Sequence, residues 1–255
     1  MRRWLGLVLL LLLAWPLAAQ ETVVTGLSTD KIALTVNYDG SEILVFGAVR
    51  REGPTDPEAG PLDVIITLKG PGKNMTIRRK ERRFGIWINT ESVGVRRPPS
   101  YYAVAATGPL AEILTETERL RYGIGMDQAV REVETNGLVL DPESFLDAMV
   151  RLRKQHGLYA LNEGGVTFAQ ETLFQTRFHL PANLVEGDYA AEFFLVRDRK
   201  VISMVESTVS VEKTGIERWL FNLSRRQPFV YGLLAVAIAL AAGWLANTAF
   251  RLVRR

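Results

Sequence analysis

The strongest constraint on this chain is an uncharged, apolar run from Phe229 to Phe250, rich in Ala, Leu, Val and Ile, with Tyr231 and Trp244 towards its ends. About 20 such residues cross a hydrocarbon core as one helix, and aromatic rings near both ends suit the two interfaces. A globular helix is rarely apolar all round, so the segment reads as a transmembrane helix at 229–250. Arg225 and Arg226 precede it; Arg251, Arg254 and Arg255 follow. A second apolar run, Leu5 to Leu13, is too short to span. It lies between Arg2-Arg3 and the small residues Ala18 and Ala19, the pattern of a secretory signal peptide at 1–19, cleaved after Ala19. The two ends together imply an exported body, one span and a cytoplasmic tail at 251–255.

This topology changes the meaning of the charge. The chain carries 31 Lys+Arg against 28 Asp+Glu. Once Arg2, Arg3 and the three tail arginines are set aside, the body holds 26 basic residues against 28 acidic ones. It is slightly acidic, so the basic pI reports the ends and is no nucleic-acid footprint. The chain has no Cys and two His, His156 and His179. There is accordingly no disulfide framework, no thiolate nucleophile and no Cys-based zinc site, and no metal or cofactor is expected.

Within the body, residues 20–109 alternate in period two between turns. Ile32, Leu34 and Val36 share a face, Asp39-Gly40 suits a hairpin turn, and Ile43 to Val49 reads as the return strand. Further strands are expected at Leu62 to Lys69, Met75 to Lys80, Phe84 to Asn89 and Tyr101 to Thr107. Residues 110–157 change to helical period. One helix is expected along Leu110, Ile113, Leu114, Thr117 and Leu120, a second along Met126, Ala129, Val130 and Val133, and a third through Phe145, Leu146, Met149, Val150 and Leu152. Asp141, Pro142 and Gly157 bound the third. Strands return over 158–214, with Asp198-Arg199 as a tight turn. The segment Leu180 to Tyr189 ends Gly-x-Tyr and resembles the tyrosine corner of immunoglobulin-like sandwiches. Residues 215–228, with Ile216, Trp219, Leu220 and Leu223 at helical spacing, read either as an amphipathic juxtamembrane helix or as an extension of the span. The fold class is therefore mainly β: an immunoglobulin-like β-sandwich with a helical block and one C-terminal transmembrane helix.

Several segments carry a resemblance to a known family: Ile43-Leu44-Val45-Phe46-Gly47-Ala48, Asp63-Val64 leading to Gly70-Pro71, Trp87-Ile88-Asn89, Pro99-Ser100-Tyr101-Tyr102, the Leu180-Pro181 corner and the single C-terminal span. The chain resembles the alpha-proteobacterial transmembrane proteins of unknown function over essentially its whole length. The resemblance implies a bacterial inner-membrane protein with a periplasmic domain. It further implies an accessory subunit beside another membrane protein, such as a sulfite-exporter-type permease.

No Gly-x-Ser-x-Gly elbow, His-Glu-x-x-His helix or Walker loop is present, so no catalytic residue is assigned and no enzyme is expected. One feature stands above background. Lys69, Lys73, Arg78, Arg79, Lys80, Arg82, Arg83, Arg96 and Arg97 form a basic segment interrupted only by Glu81 and Glu91. Like charges this dense repel unless offset. The offsets available are the acidic helical block (Glu112, Glu116, Glu118, Glu132, Glu134), a partner protein, anionic lipid headgroups, or a small anion. Trp87, Tyr101 and Tyr102 read either as an aromatic surface beside the basic segment or as sandwich core. The functional expectation is a membrane-anchored periplasmic binding or assembly module, with a periplasmic anion- or lipid-headgroup-binding domain as the alternative.

Overall fold

The computed structural model describes residues 21–253 apart from 30, 35–37, 52–59, 131–132, 135–140, 170–171 and 214–215. The signal-peptide segment and Glu132 lie outside the described residues. Among those residues the strands are β1 (Glu21–Leu27), β2 (Lys31–Leu34), β3 (Gly40–Arg51), β4 (Leu62–Lys69), β5 (Met75–Arg83), β6 (Ile86–Val95), β7 (Tyr102–Ala106), β8 (Val133–Glu134), β9 (Tyr159–Glu163), β10 (Thr167–Ala169), β11 (Leu173–Pro181), β12 (Gly187–Arg197) and β13 (Lys200–Lys213). The helices are α1 (Leu110–Ile113), α2 (Glu116–Tyr122), α3 (Glu143–Gln155), α4 (Ile216–Arg226) and α5 (Pro228–Val253), with a 3₁₀ turn at Gln128–Val130. The chain forms two units, residues 1–30 with 39–210, and residues 31–38 with 211–255.

The first unit is a sandwich with a helical cover. One sheet has the order β1-β3-β11-β10 and the second runs β13-β12-β4-β7-β9. In β11, Phe174, Thr176, Phe178 and Leu180 are buried and the residues between them exposed, the alternation of a strand with one wet face. The opposing sheet supplies Ala191, Phe193 and Leu195, all buried, and the rings of Phe174 and Phe193 meet at 6.3 Å between centroids. Burying a side chain of this size stabilises the fold by about 1.5–3 kcal/mol. β7 is buried at every position and β4 at five successive ones, because the outer face of their sheet is covered as well. There Ile65, Tyr102, Val104, Phe194 and Val196 pack with Leu110, Ile113, Ile124 and Met149 of the helical block. The corner is as its sequence implies: the Tyr189 hydroxyl donates to Val185 O at 2.8 Å. Asp198 and Arg199, at φ 49° and 62°, form the tight turn between β12 and β13.

Three local expectations are corrected. The hairpin through Asp39-Gly40 does not form, since β3 pairs along its length with β1 on one side and β11 on the other, while β2 neighbours β13 in the strand order. Gly40 is required for a different reason: its φ is +113° and a Cβ there would lie 2.9 Å from Leu180 O. The expected first helix is two helices. Leu114 is extended, and the Thr115 side chain accepts from Glu118 N, starting α2 anew; Thr115-x-x-Glu118 is a capping pattern that outweighs the apolar period. The expected second helix is a 3₁₀ turn followed by β8, which pairs with β6. The third helix stands as α3, with Asp141 Oδ1 accepting from Ser144 N.

The second unit holds β2, the last residues of β13, and α4 and α5. Pro228, without an N–H, opens α5 as a helix separate from α4. Pro228–Asn247 has a mean hydropathy of 2.2 and none of it is buried, as a segment solvated by lipid requires.

Candidate functional site

The basic segment folds mainly into an arm. β5 and β6 pair antiparallel from Met75↔Val95 to Arg83↔Ile86, with a register shift between Arg79 and Lys80. At the base, Met75 and Ile77 pack with Val93, Val95, Phe145 and Leu146, which fixes the ribbon to α3. Arg79 closes this base. Its guanidinium lies 4.5 Å from the Phe145 ring centroid, donates to Glu91 Oε2 at 2.9 Å, and donates to Ser144 Oγ at 2.7 Å. Beyond the register shift no residue from Lys80 to Asn89 is buried.

The outer arm is divided lengthwise. Its β5 edge carries Lys80, Glu81, Arg82 and Arg83, and its β6 edge Ile86, Trp87, Ile88 and Asn89. Directly opposed residues share a face, so Arg82 stands with Trp87, Arg83 with Ile86, and Glu81 with Ile88. Ile86 is 64% exposed and Trp87 68%, so neither belongs to a core. The strand expected to begin at Phe84 begins instead at Ile86. Phe84 and Gly85, at φ 50° and 85°, are the turn, with positive φ at both central positions as a two-residue type I′ hairpin demands.

The charges expected to neutralise the arm do so only in part. Arg83 pairs with Glu81 at 3.2 Å, within the arm. Glu116 and Glu118 pair with Arg119 and Arg121 of their own helix. Among the described residues, no hydrogen bond or ion pair holds the side chains of Arg78, Lys80 or Arg82. Lys73 is exposed beyond the end of β4, and Arg96 and Arg97 lie just past β6. Lys69 sits apart from this surface: its ammonium is 2.7 Å from Glu192 Oε2, and Thr67 Oγ1 donates to the same carboxylate at 2.9 Å.

Tyr101 and Tyr102 are core residues, 1% and 0% exposed. The Tyr101 hydroxyl donates to His179 O at 2.8 Å. Burial raises the pKa of Tyr102 well above the usual phenol value, although Gly125 N–H donates to its oxygen. Burial also pushes Tyr159 up to about 12, and its hydroxyl donates to Pro99 O at 2.9 Å. At Asp127 burial favours the neutral acid, but hydrogen bonds from Arg119 and Gln128 outweigh it and hold the carboxyl below its ordinary value. These groups tie loops to the sheet.

Two cavities lie beside these elements. One of about 380 Å³ is apolar, between the arm base and α3, lined by Met75, Ile77, Met149 and Leu152, with Arg153 and His156 at its rim. Arg153 is occupied, donating to Ser100 O at 2.7 Å. His156 Nδ1 is 2.8 Å from Leu152 O at the end of α3. The other, about 320 Å³, includes Lys69, Arg97, Tyr102 and Gln128. Its lysine is already paired with Glu192, and the amide oxygen of Gln128 has no donor among the described residues, a poor lining for an anion. Among the described residues no three His, Asp or Glu side chains converge on a metal position.

The fold and the apolar helix define a class: a β-sandwich domain on a chain with, among the described residues, a single candidate transmembrane helix. Residues 22–252 match the family described as "Putative transmembrane protein (Alph_Pro_TM)", and the chain belongs to that family. No curated protein matches the chain.

Proposed function

We propose that the protein is a membrane-anchored binding or assembly module whose contact element is the β5–β6 arm. The observation that carries this reading is the arm itself, where Arg78, Lys80 and Arg82 have no ion pair among the described residues and the exposed Ile86 and Trp87 share the ribbon. A structural ribbon would bury such residues or replace them with polar ones. In this reading α5 crosses the bacterial inner membrane, the sandwich is periplasmic and the C-terminus cytoplasmic. The arm then serves an accessory subunit that attends another inner-membrane protein, such as a sulfite-exporter-type permease. No catalytic role is proposed, because the tyrosines and charged networks of the domain are engaged in holding the fold.

Mild-detergent purification of the full-length protein from its own membranes tests the reading. A permease should copurify in stoichiometric amount, and Arg78→Gln, Lys80→Gln and Arg82→Gln combined should release it while the domain stays folded. Copurification unaffected by those changes would remove the arm from the contact. The second reading, an anion- or lipid-headgroup-binding domain, is favoured by the same unpaired guanidinium groups.

A further inference from the structure

The apex of the arm is built against local preference. Phe84 occupies the left-handed region at φ 50°, where an aromatic residue is a genuine outlier and Asn, Asp or Gly is the ordinary choice. Phe84 as a whole is 105% exposed, so nothing within the described residues compensates for the backbone strain. Strain of this kind persists where another requirement holds the residue in place. Beside it, the apolar side chains occupy both faces of a two-stranded ribbon: Trp87 on one, and Ile86 with Ile88 on the other. Apolar groups on both faces and at the tip call for a medium that surrounds the ribbon.

The basic residues fit the same medium. They line the opposite edge within a few residues of the apex, and Arg82 is directly across from Trp87. The four residue pairs beyond the register shift extend about 13 Å at the usual rise per strand residue. That matches the depth of an interfacial element, whose apolar part enters about 5–10 Å below the headgroups. Long cationic side chains set back from the tip reach outward to phosphate while their stems stay in the apolar layer. Trp is also the residue that prefers this boundary.

We propose that the tip of the β5–β6 arm is an interfacial membrane anchor: Phe84, Ile86 and Trp87 enter a bilayer surface, and Lys80 and Arg82 hold its anionic phosphate headgroups. The inference rests on the arm being the contact element of an anchored domain, and it names a lipid surface as what the apex meets. The chain would then touch the membrane at the arm as well as at α5. A second attachment restrains the domain by raising the effective concentration of each site for its own target.

The chain has no cysteine, so Ile86→Cys provides a unique thiol for a nitroxide while Phe84 and Trp87 stay in place. The full-length protein is reconstituted into phosphatidylcholine vesicles and into vesicles that also contain phosphatidylglycerol. Relaxation of the label by oxygen and by a water-soluble nickel chelate reports its depth. With the anionic lipid, the label should gain oxygen contact and lose nickel contact, while the same label at Ala182→Cys, in an exposed turn, stays aqueous. Each basic residue near an anionic surface is worth about fivefold in binding, so Lys80→Gln with Arg82→Gln should reduce insertion of the arm about 30-fold. Added salt should act in the same direction. A label that remains aqueous in both vesicles overturns the proposal. If that label is shielded only when a copurified permease is present, the lipid assignment falls and the arm stands as a protein contact. If neither shields it, the contact reading falls too.

Discussion

Replacing Phe84 with Asn should make the arm more stable while weakening what it binds. The left-handed conformation costs a side chain with a Cβ roughly 1–2 kcal/mol, and Asn tolerates it best among residues other than Gly. Phe84 is fully exposed, so removal of its ring forfeits no packing among the described residues. The net expectation for Phe84→Asn is a gain of about 1 kcal/mol in the arm, roughly a fivefold smaller population of its open form. Amide hydrogen exchange across the Arg83↔Ile86 to Lys80↔Asn89 register reads this directly, in detergent without partner or anionic lipid. If the arm melts together with the sandwich, the transition rises by about 2–4 °C as well; if it opens alone, only the local protection rises. Faster exchange at these amides would refute the reasoning, since it would mean that the ring packs on something. The same variant should insert less deeply into anionic vesicles, separating stability from binding.

Two further outcomes concern the sandwich. Tyr159 titrates at about 12 in the fold against an ordinary phenol value of 10.0. Its pKa is raised, so its contribution is complete below pH ~10 and is lost as pH climbs through the folded value, at about 1.4 kcal/mol per pH unit. Urea midpoints followed by near-ultraviolet ellipticity should fall across that window, and Tyr159→Phe should flatten the fall; an unchanged slope would place the phenol in solvent. Gly70→Ala would set a Cβ 2.6 Å from Ser100 Oγ, 2.8 Å from Tyr189 Cε1 and 3.1 Å from Tyr101 N. Overpacking at such a site costs about 1–3 kcal/mol, and an unaltered thermal transition would show that the tyrosine corner yields.

Features carried by composition or strict period were legible in the chain. The apolar run at 229–250 needs no tertiary partner to be recognised, because the solvent it requires is visible in its residue types. The alternation of β11 and the Gly-x-Tyr corner follow from local sterics and one backbone hydrogen bond. Helix α3 is bounded by Asp141, whose carboxylate accepts from Ser144 N, and by Gly157 in the left-handed region. The density of arginine and lysine between Lys69 and Arg97 was equally plain in the sequence.

Partner choice belonged to the tertiary structure. Asp39-Gly40 favours a turn, but β1 and β11 satisfy both edges of β3, and pairing across long separations is invisible to a local pattern. Trp87 and Tyr101 look alike as aromatic residues in alternating strands, yet one stands in the open and the other is buried. The difference lies in whether a second layer covers the strand. The nine basic residues likewise divided according to what the fold set beside them. Lys69 met Glu192 across neighbouring strands, and Arg79 met Phe145 and Glu91. Lys80 and Arg82 were carried past the register shift, and Arg78 stands just before it; among the described residues none of the three meets a carboxylate. Charge density is written in the sequence; whether a charge is neutralised depends on distances of a few ångströms, which only folding sets.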